Sequence, residues 1–234
     1  MNLLLLSNST TDAGYLTWAL PAIRTWAQGR RRAAFVPYAG VTRAWDDYAK
    51  LVQDALAPLA IEVMSVHHAA DPRRAIAEAE LVLVGGGNTF HLLHHCRGEG
   101  LLAAIAQAVR GGTPYLGWSA GSNLACPTIR TTNDMPIVDP GGLDALGLVP
   151  FQVNPHYTNA LPAGVRGETR NQRIAEFTRV NPRVPVLGLP EGNWVRVEGA
   201  AFTVHGPQPS IWFLGDAEPR PVAEGPLPRV GEWT

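Results

Sequence analysis

Short unbroken apolar runs constrain this chain more than any other feature. Residues 3–6, 33–36 and 81–84 present no polar side chain to either side of a pleat. A strand with one wet face alternates apolar and polar residues, so an unbroken run predicts a strand covered on both faces. Between these runs lie segments with helical spacing: about 14–28, 45–56, a stretch opening at Pro72 with Asp71 as N-cap, and 101–109, closed by Gly111-Gly112. Residues 61–66 and 115–117 add two further strands. This alternation predicts an α/β fold, a three-layer sandwich with a mostly parallel sheet and helices on both faces. A length of 234 residues suits one such domain over 1–234.

Residues 126–165 are rich in Pro, Gly, Asn and Asp and carry no periodic run. A loop this long inside a compact domain is usually functional. Structure is expected to resume with a strand at 149–153, a helix at 168–177, a strand at 184–189 and a hairpin over 195–197 and 201–204. The proline-rich tail from Gly215 is expected to wrap the surface.

Residues 117–121 read Gly117-Trp118-Ser119-Ala120-Gly121, between a predicted strand and a predicted helix. A nucleophilic serine on an α/β sheet sits on such a turn, because strand and helix approach too closely for large flanking side chains. Ser119 is therefore the candidate nucleophile. The Ala120 N–H, at the start of the helix, would face a developing oxyanion. Gly85-Gly86-Gly87-Asn88 follows another strand, and its glycines let backbone approach a ligand closely. Gly86 and Gly87 are the candidates for the second oxyanion donor, and Asn88 beside them for a substrate contact. The turn lacks both the dinucleotide-binding glycine pattern and a phosphate-binding lysine.

A serine needs a base and a group that orients the base. Of seven histidines, His67, His68, His94 and His95 fit surface or packing positions. A metal site at His91, His94, His95 and Cys96 is disfavoured, since adjacent residues cannot all face one ion. His156, in Asn154-Pro155-His156-Tyr157 after a predicted strand, is the candidate base. Asp134 and Glu191, both in loops at the same expected edge, are the candidate orienters, and the residues alone do not choose between them.

Balanced charge, 19 basic against 20 acidic residues, speaks against nucleic acid or a membrane surface as partner. Residues 3–6 are too short for a signal peptide core and follow no basic residue. Two cysteines in 234 residues fit a reducing compartment, so a cytoplasmic location is expected.

Six phrases in order resemble one family: Leu5-Leu6-Ser7-Asn8-Ser9, Gly85-Gly86-Gly87-Asn88-Thr89-Phe90, the Ser119 elbow, Thr131-Thr132-Asn133-Asp134-Met135-Pro136, Asn154-Pro155-His156-Tyr157 and Leu189-Pro190-Glu191-Gly192-Asn193. They are similar to the peptidase E family of α-aspartyl dipeptidases, and the likeness runs from residue 3 to about 194. It implies a fold like class I glutamine amidotransferase domains. It implies a serine dipeptidase cleaving Asp-Xaa through an aspartyl-enzyme ester, with no metal or cofactor. The partners expected are a small peptide and, as an open option, a second copy in a homodimer. By motif, Ser119 is nucleophile and His156 base, with Asp134 or Glu191 as third member. Aspartyl specificity calls for a cation with a bidentate fork. Among Arg130, Arg166, Arg170 and Arg173, Arg170 matches a family phrase. The rivals are an esterase or cyanophycin-type peptidase on the same fold, and a binding module without activity.

Overall fold

Alternate residues of the apolar runs feed two separate cores. In the computed structural model Leu3 and Leu5 join one buried cluster, while Leu4 and Leu6 join another. Ala34, Val36, Val82 and Val84 point to the first cluster, and Ala33, Phe35, Leu81 and Leu83 to the second. That is the period-two geometry of strands buried on both faces. The structure describes residues 1–227 apart from 162 and 165.

The strands are β1 (Asn2–Leu6), β2 (Thr10–Thr11), β3 (Gly14–Tyr15), β4 (Arg32–Val36), β5 (Glu62–Ser65), β6 (Leu81–Val84), β7 (Tyr115–Trp118), β8 (Gln152–Pro155), β9 (Val186–Leu189), β10 (Trp194–Glu198), β11 (Ala201–His205), β12 (Ser210–Phe213), β13 (Arg220–Val222) and β14 (Gly225–Pro226). The helices are α1 (Leu20–Ala27), α2 (Trp45–Leu56), α3 (Pro72–Glu78), α4 (Thr89–Gly98), α5 (Leu101–Arg110), α6 (Ala120–Leu124) and α7 (Arg170–Val180). Among the described residues the larger sheet runs β14-β11-β10-β1-β7-β6-β4-β5. Its β1, β7, β6, β4 and β5 are parallel, and the β10–β11 hairpin pairs antiparallel on β1. Helices α1 and α2 cover one face through Ile23, Trp26, Val52 and Leu56. Helices α3 to α6 cover the other through Ile76, Leu92, Ile105 and Leu124. The three layers are those expected.

Three features differ from expectation. The segment expected as one helix over 14–28 begins as a β2–β3 hairpin and a short 3-10 turn, and α1 starts only at Leu20. Leu16 takes a positive φ of 56°, which no helix accommodates, and Pro21 suits the first helical turn. The strand expected at 149–153 begins instead at Gln152. Pro150 brings no N–H to a ladder, and the first bond is Gln152 N–H to Pro185 O, 2.8 Å. Finally, β8 and β9 do not extend the main sheet. They pair in parallel within a second sheet, β13-β12-β9-β8, where β12 and β13 add antiparallel strands that the sequence did not announce. Helix α7 packs Ile174 on this sheet beside Val186 and Phe213. Residues 228–234 of the tail lie outside those described. No helix among the described residues is long and apolar enough to cross a membrane.

Candidate active site

The carboxyl ends of β1, β6, β7, β8 and β9 bring the predicted loops together, as expected for ligand sites on parallel sheets. At the end of β7 the chain turns at Ser119, with φ 51° and ψ −110°, and enters α6 at Ala120. A non-glycine residue held at positive φ is strained and is tolerated where the surroundings fix it. Here Ser119 N–H donates to Leu6 O at 3.1 Å, and Ser122 Oγ donates to Leu6 O at 2.7 Å. The bracketing glycines are required by contact. A methyl on Gly117 would lie 2.5 Å from Gly121 O, and one on Gly121 would lie 2.1 Å from Val84 O. Gly121→Ala should therefore cost about 3 kcal/mol, as overpacking does. A drop in Tm of roughly 6–12 °C by thermal denaturation is the expected reading.

Ser119 Oγ lies 3.0 Å from His156 Nε2, and His156 Nδ1 lies 2.6 Å from Glu191 Oε1. His156 also sits at positive φ, 53°. Its N–H donates to Ser7 Oγ at 2.8 Å, and Ser7 Oγ donates to Leu189 O at 2.8 Å. Ser7 N–H donates to Asn193 O, and Asn8 Oδ1 accepts from Gly192 N–H, which fixes the turn that carries Glu191. Three hydrogen-bonding groups from three distant loops thus form one chain, Glu191–His156–Ser119.

Asp134 is placed differently. Its Oδ2 accepts from Thr89 N–H at 2.8 Å, Thr89 Oγ1 at 2.5 Å and Thr132 Oγ1 at 3.0 Å. It therefore sits at the N-terminus of α4, where the helix dipole favours an anion. Its described hydrogen bonds do not include His156. Of the two carboxylates left open by the sequence, Glu191 is the one bonded to the histidine. Asp134 nevertheless lines the same cavity, of about 600 Å³, with Ser119, His156, Gly86, Gly87 and Asn88.

Gly87 has φ 135°, and a Cβ there would lie 2.2 Å from Ala39 O, so only glycine fits this turn. Ala120 opens α6, so its N–H has no acceptor within the helix. Asn88 caps α4 by accepting from His91 N–H at 3.0 Å, and its Nδ2 donates to Met135 O at 2.8 Å. Its side-chain amide is thus already engaged. Arg170, at the start of α7, donates from Nη1 to Asn154 Oδ1 at 3.2 Å and to Asn133 Oδ1. It does not line the cavity, whereas Arg43 does.

Several supports escaped sequence reasoning. Tyr48 OH donates to Gly86 O at 2.9 Å and accepts from Trp118 Nε1 at 3.1 Å. Burial raises the Tyr48 phenol above its ordinary range, which keeps it a neutral donor. This bond ties the glycine turn to the residue before Ser119. Ser7 and Arg43 were missed as well. Ser7 had a signal, because it follows a fully buried strand at the sheet edge that binds ligands. Both cysteines are buried and free, and burial pushes the Cys126 thiol up to about 12, so neither offers a thiolate.

The chain is 56% identical to peptidase E of Citrobacter koseri over 226 residues, covering 96% of this chain and 99% of that one. It is 55% identical to peptidase E of Shigella flexneri at the same coverage. A Listeria monocytogenes protein assigned as a peptidase E shares the fold, with a TM-score of 0.68 and 23% identity over 88% of this chain and 98% of that one. So does a peptidase from an acI-B1 actinobacterium, with a TM-score of 0.66 and 13% identity over 95% and 94%. The profile of peptidase family S51 matches residues 3–205, a span that holds the elbow, the glycine turn and both loops bonded through His156, and the chain belongs to that family of serine peptidases.

Proposed function

We propose that this peptidase hydrolyses dipeptides with an N-terminal aspartate, Asp-Xaa, through an aspartyl-enzyme ester. The observation that carries the chemistry is the Glu191–His156–Ser119 chain opening onto the cavity. The substrate class rests on the likeness to the peptidase E relatives.

In this reading His156 Nε2 takes the proton of Ser119 as Oγ attacks the aspartyl carbonyl. Glu191 keeps the proton on Nδ1 and stabilises the imidazolium that forms. Donors at Gly86, Gly87 and Ala120 hold the oxyanion, each worth about 3 kcal/mol of barrier. The leaving amine collects the proton from His156, and water then cleaves the ester by the reverse steps. Asp134, at the cavity wall, is assigned to the substrate's free amine, with Asn88 beside it. Residues 1–234 act as one catalytic domain. The buried thiols accord with a cytoplasmic setting.

The aspartyl carboxylate has two candidate arginines. Motif favours Arg170. Position favours Arg43, which lines the cavity with its guanidinium 5.5 Å from the Tyr48 ring centroid. One assay covers both substrate and arginine. Asp-Leu should be cleaved at least 100-fold faster than Asn-Leu or Leu-Leu, because a buried ionic contact left unpaired costs about 3 kcal/mol. Comparable rates on all three would end the aspartyl assignment. Repeating it with Arg43→Ala and Arg170→Ala names the arginine, as the one whose loss collapses Asp over Asn selectivity.

A further inference from the structure

Among the described residues, one cluster of metal-ligating side chains lies outside the Ser119 cavity. Asp46 stands in the first turn of α2, and His67 and His68 end the 3-10 turn that follows β5. Asp46 Oδ1 lies 2.8 Å from His67 Nε2 and 2.7 Å from His68 Nε2. One donor atom from each residue falls within 4.8 Å of the others. None of the three lines the cavity. We propose that Asp46, His67 and His68 form a binding site for a zinc ion.

Consecutive histidines on a strand point to opposite faces and cannot share an ion. The tight turn removes that obstacle, and the two rings lie 3.9 Å apart at 37° on one side of the backbone. Two imidazole nitrogens and one carboxylate make a borderline donor set, which zinc accepts and which magnesium and calcium, preferring oxygen alone, do not. Ligand atoms around tetrahedral zinc stand about 3.3 Å apart for bonds of 2.0–2.1 Å. The two oxygen-to-nitrogen separations need to open by about 0.5–0.6 Å to admit the ion.

A second layer of contacts is also in place. Metal-bound histidines generally hold their other ring nitrogen on a hydrogen-bond partner, which fixes tautomer and orientation. His67 Nδ1 lies 2.7 Å from Ser65 Oγ, a buried hydroxyl that itself reaches Phe35 O at 3.5 Å. Trp45 packs edge-on against the His67 ring at 5.6 Å. His67 is thereby a fixed ligand, 13% exposed, while His68 at 63% and Asp46 at 72% leave the outer side open to water ligands. Bound zinc would staple the start of α2 to the turn after β5.

The test uses full-length protein stripped with EDTA and desalted, then titrated with zinc chloride by calorimetry while Tm is followed. The expected result is saturable uptake of one zinc per chain and a Tm rise of about 5–11 °C with zinc at 100 times Kd. His68→Ala should abolish both effects and Asp46→Asn should weaken uptake at least tenfold. His94→Ala, an exposed histidine outside the cluster, should change neither. Both cluster variants replace exposed side chains, and unchanged circular dichroism and dipeptide hydrolysis will report that they fold. Absence of saturable uptake by the wild type, or uptake that persists in His68→Ala, overturns the site.

Discussion

Ser119→Ala should lower kcat by at least about 10⁴-fold on Asp-Leu while leaving the fold intact. Members of a nucleophile–base pair act as a unit, so losing the nucleophile forfeits nearly all of the covalent route. What remains is binding and the oxyanion donors, which in triad hydrolases retain about 10³–10⁴ over water. Stability is expected to hold or rise slightly. Alanine at φ 51° is no more strained than serine there, and the bond from residue 119 N–H to Leu6 O is a backbone bond. The measurement pairs single-turnover hydrolysis with thermal unfolding. A variant that keeps more than a tenth of wild-type kcat would remove Ser119 from the chemistry.

The second large effect separates the two carboxylates. Glu191→Gln keeps the size of the side chain but cannot hold a proton on His156 Nδ1 as an anion does. A drop in kcat of about 10³–10⁴-fold is expected, the scale seen when a triad acid becomes an amide. Asp134→Asn should act on the other parameter. Its carboxylate bonds to Thr89 and Thr132 rather than to His156, so loss of its charge should raise KM for Asp-Leu roughly 10–100-fold with a far smaller change in kcat. The kcat and KM split is the discriminating reading. If Asp134→Asn carried the kcat loss and Glu191→Gln only a KM change, the roles assigned here would be exchanged.

The central sheet was legible because burial on two faces leaves an unmistakable mark. Runs such as residues 3–6 and 81–84 have no polar residue to spare for solvent. The second sheet left no such mark. Its β13 lies in the proline-rich tail and β12 just before it, and the pairing of β13 with β12 and of β12 with β9 depends on tertiary closure rather than on local pattern. Ser119 and His156 were legible through turn chemistry, since glycines flank one and a strand end precedes the other. The choice between Asp134 and Glu191 was not. Both are loop acids expected at the same sheet edge, and only the placement of α4 draws Asp134 away to cap it. Nothing in the helical spacing of 45–56 set Tyr48 apart, although its hydroxyl bridges Gly86 and Trp118.

The bonds made by residues 6–8 have a geometric consequence. Leu6 O receives Ser119 N–H, Ser7 Oγ receives His156 N–H, and Ser7 N–H and Asn8 Oδ1 hold the Glu191 turn. Three loops separated by tens of residues in sequence are thus surveyed from a single benchmark at the end of β1. Displacement of that benchmark carries all three along together, and common-mode movement cancels in their mutual distances. The spacing of oxygen, imidazole and carboxylate is therefore insulated from breathing of the sheet, and sensitive mainly to whatever loosens one loop alone from the three residues that gauge it.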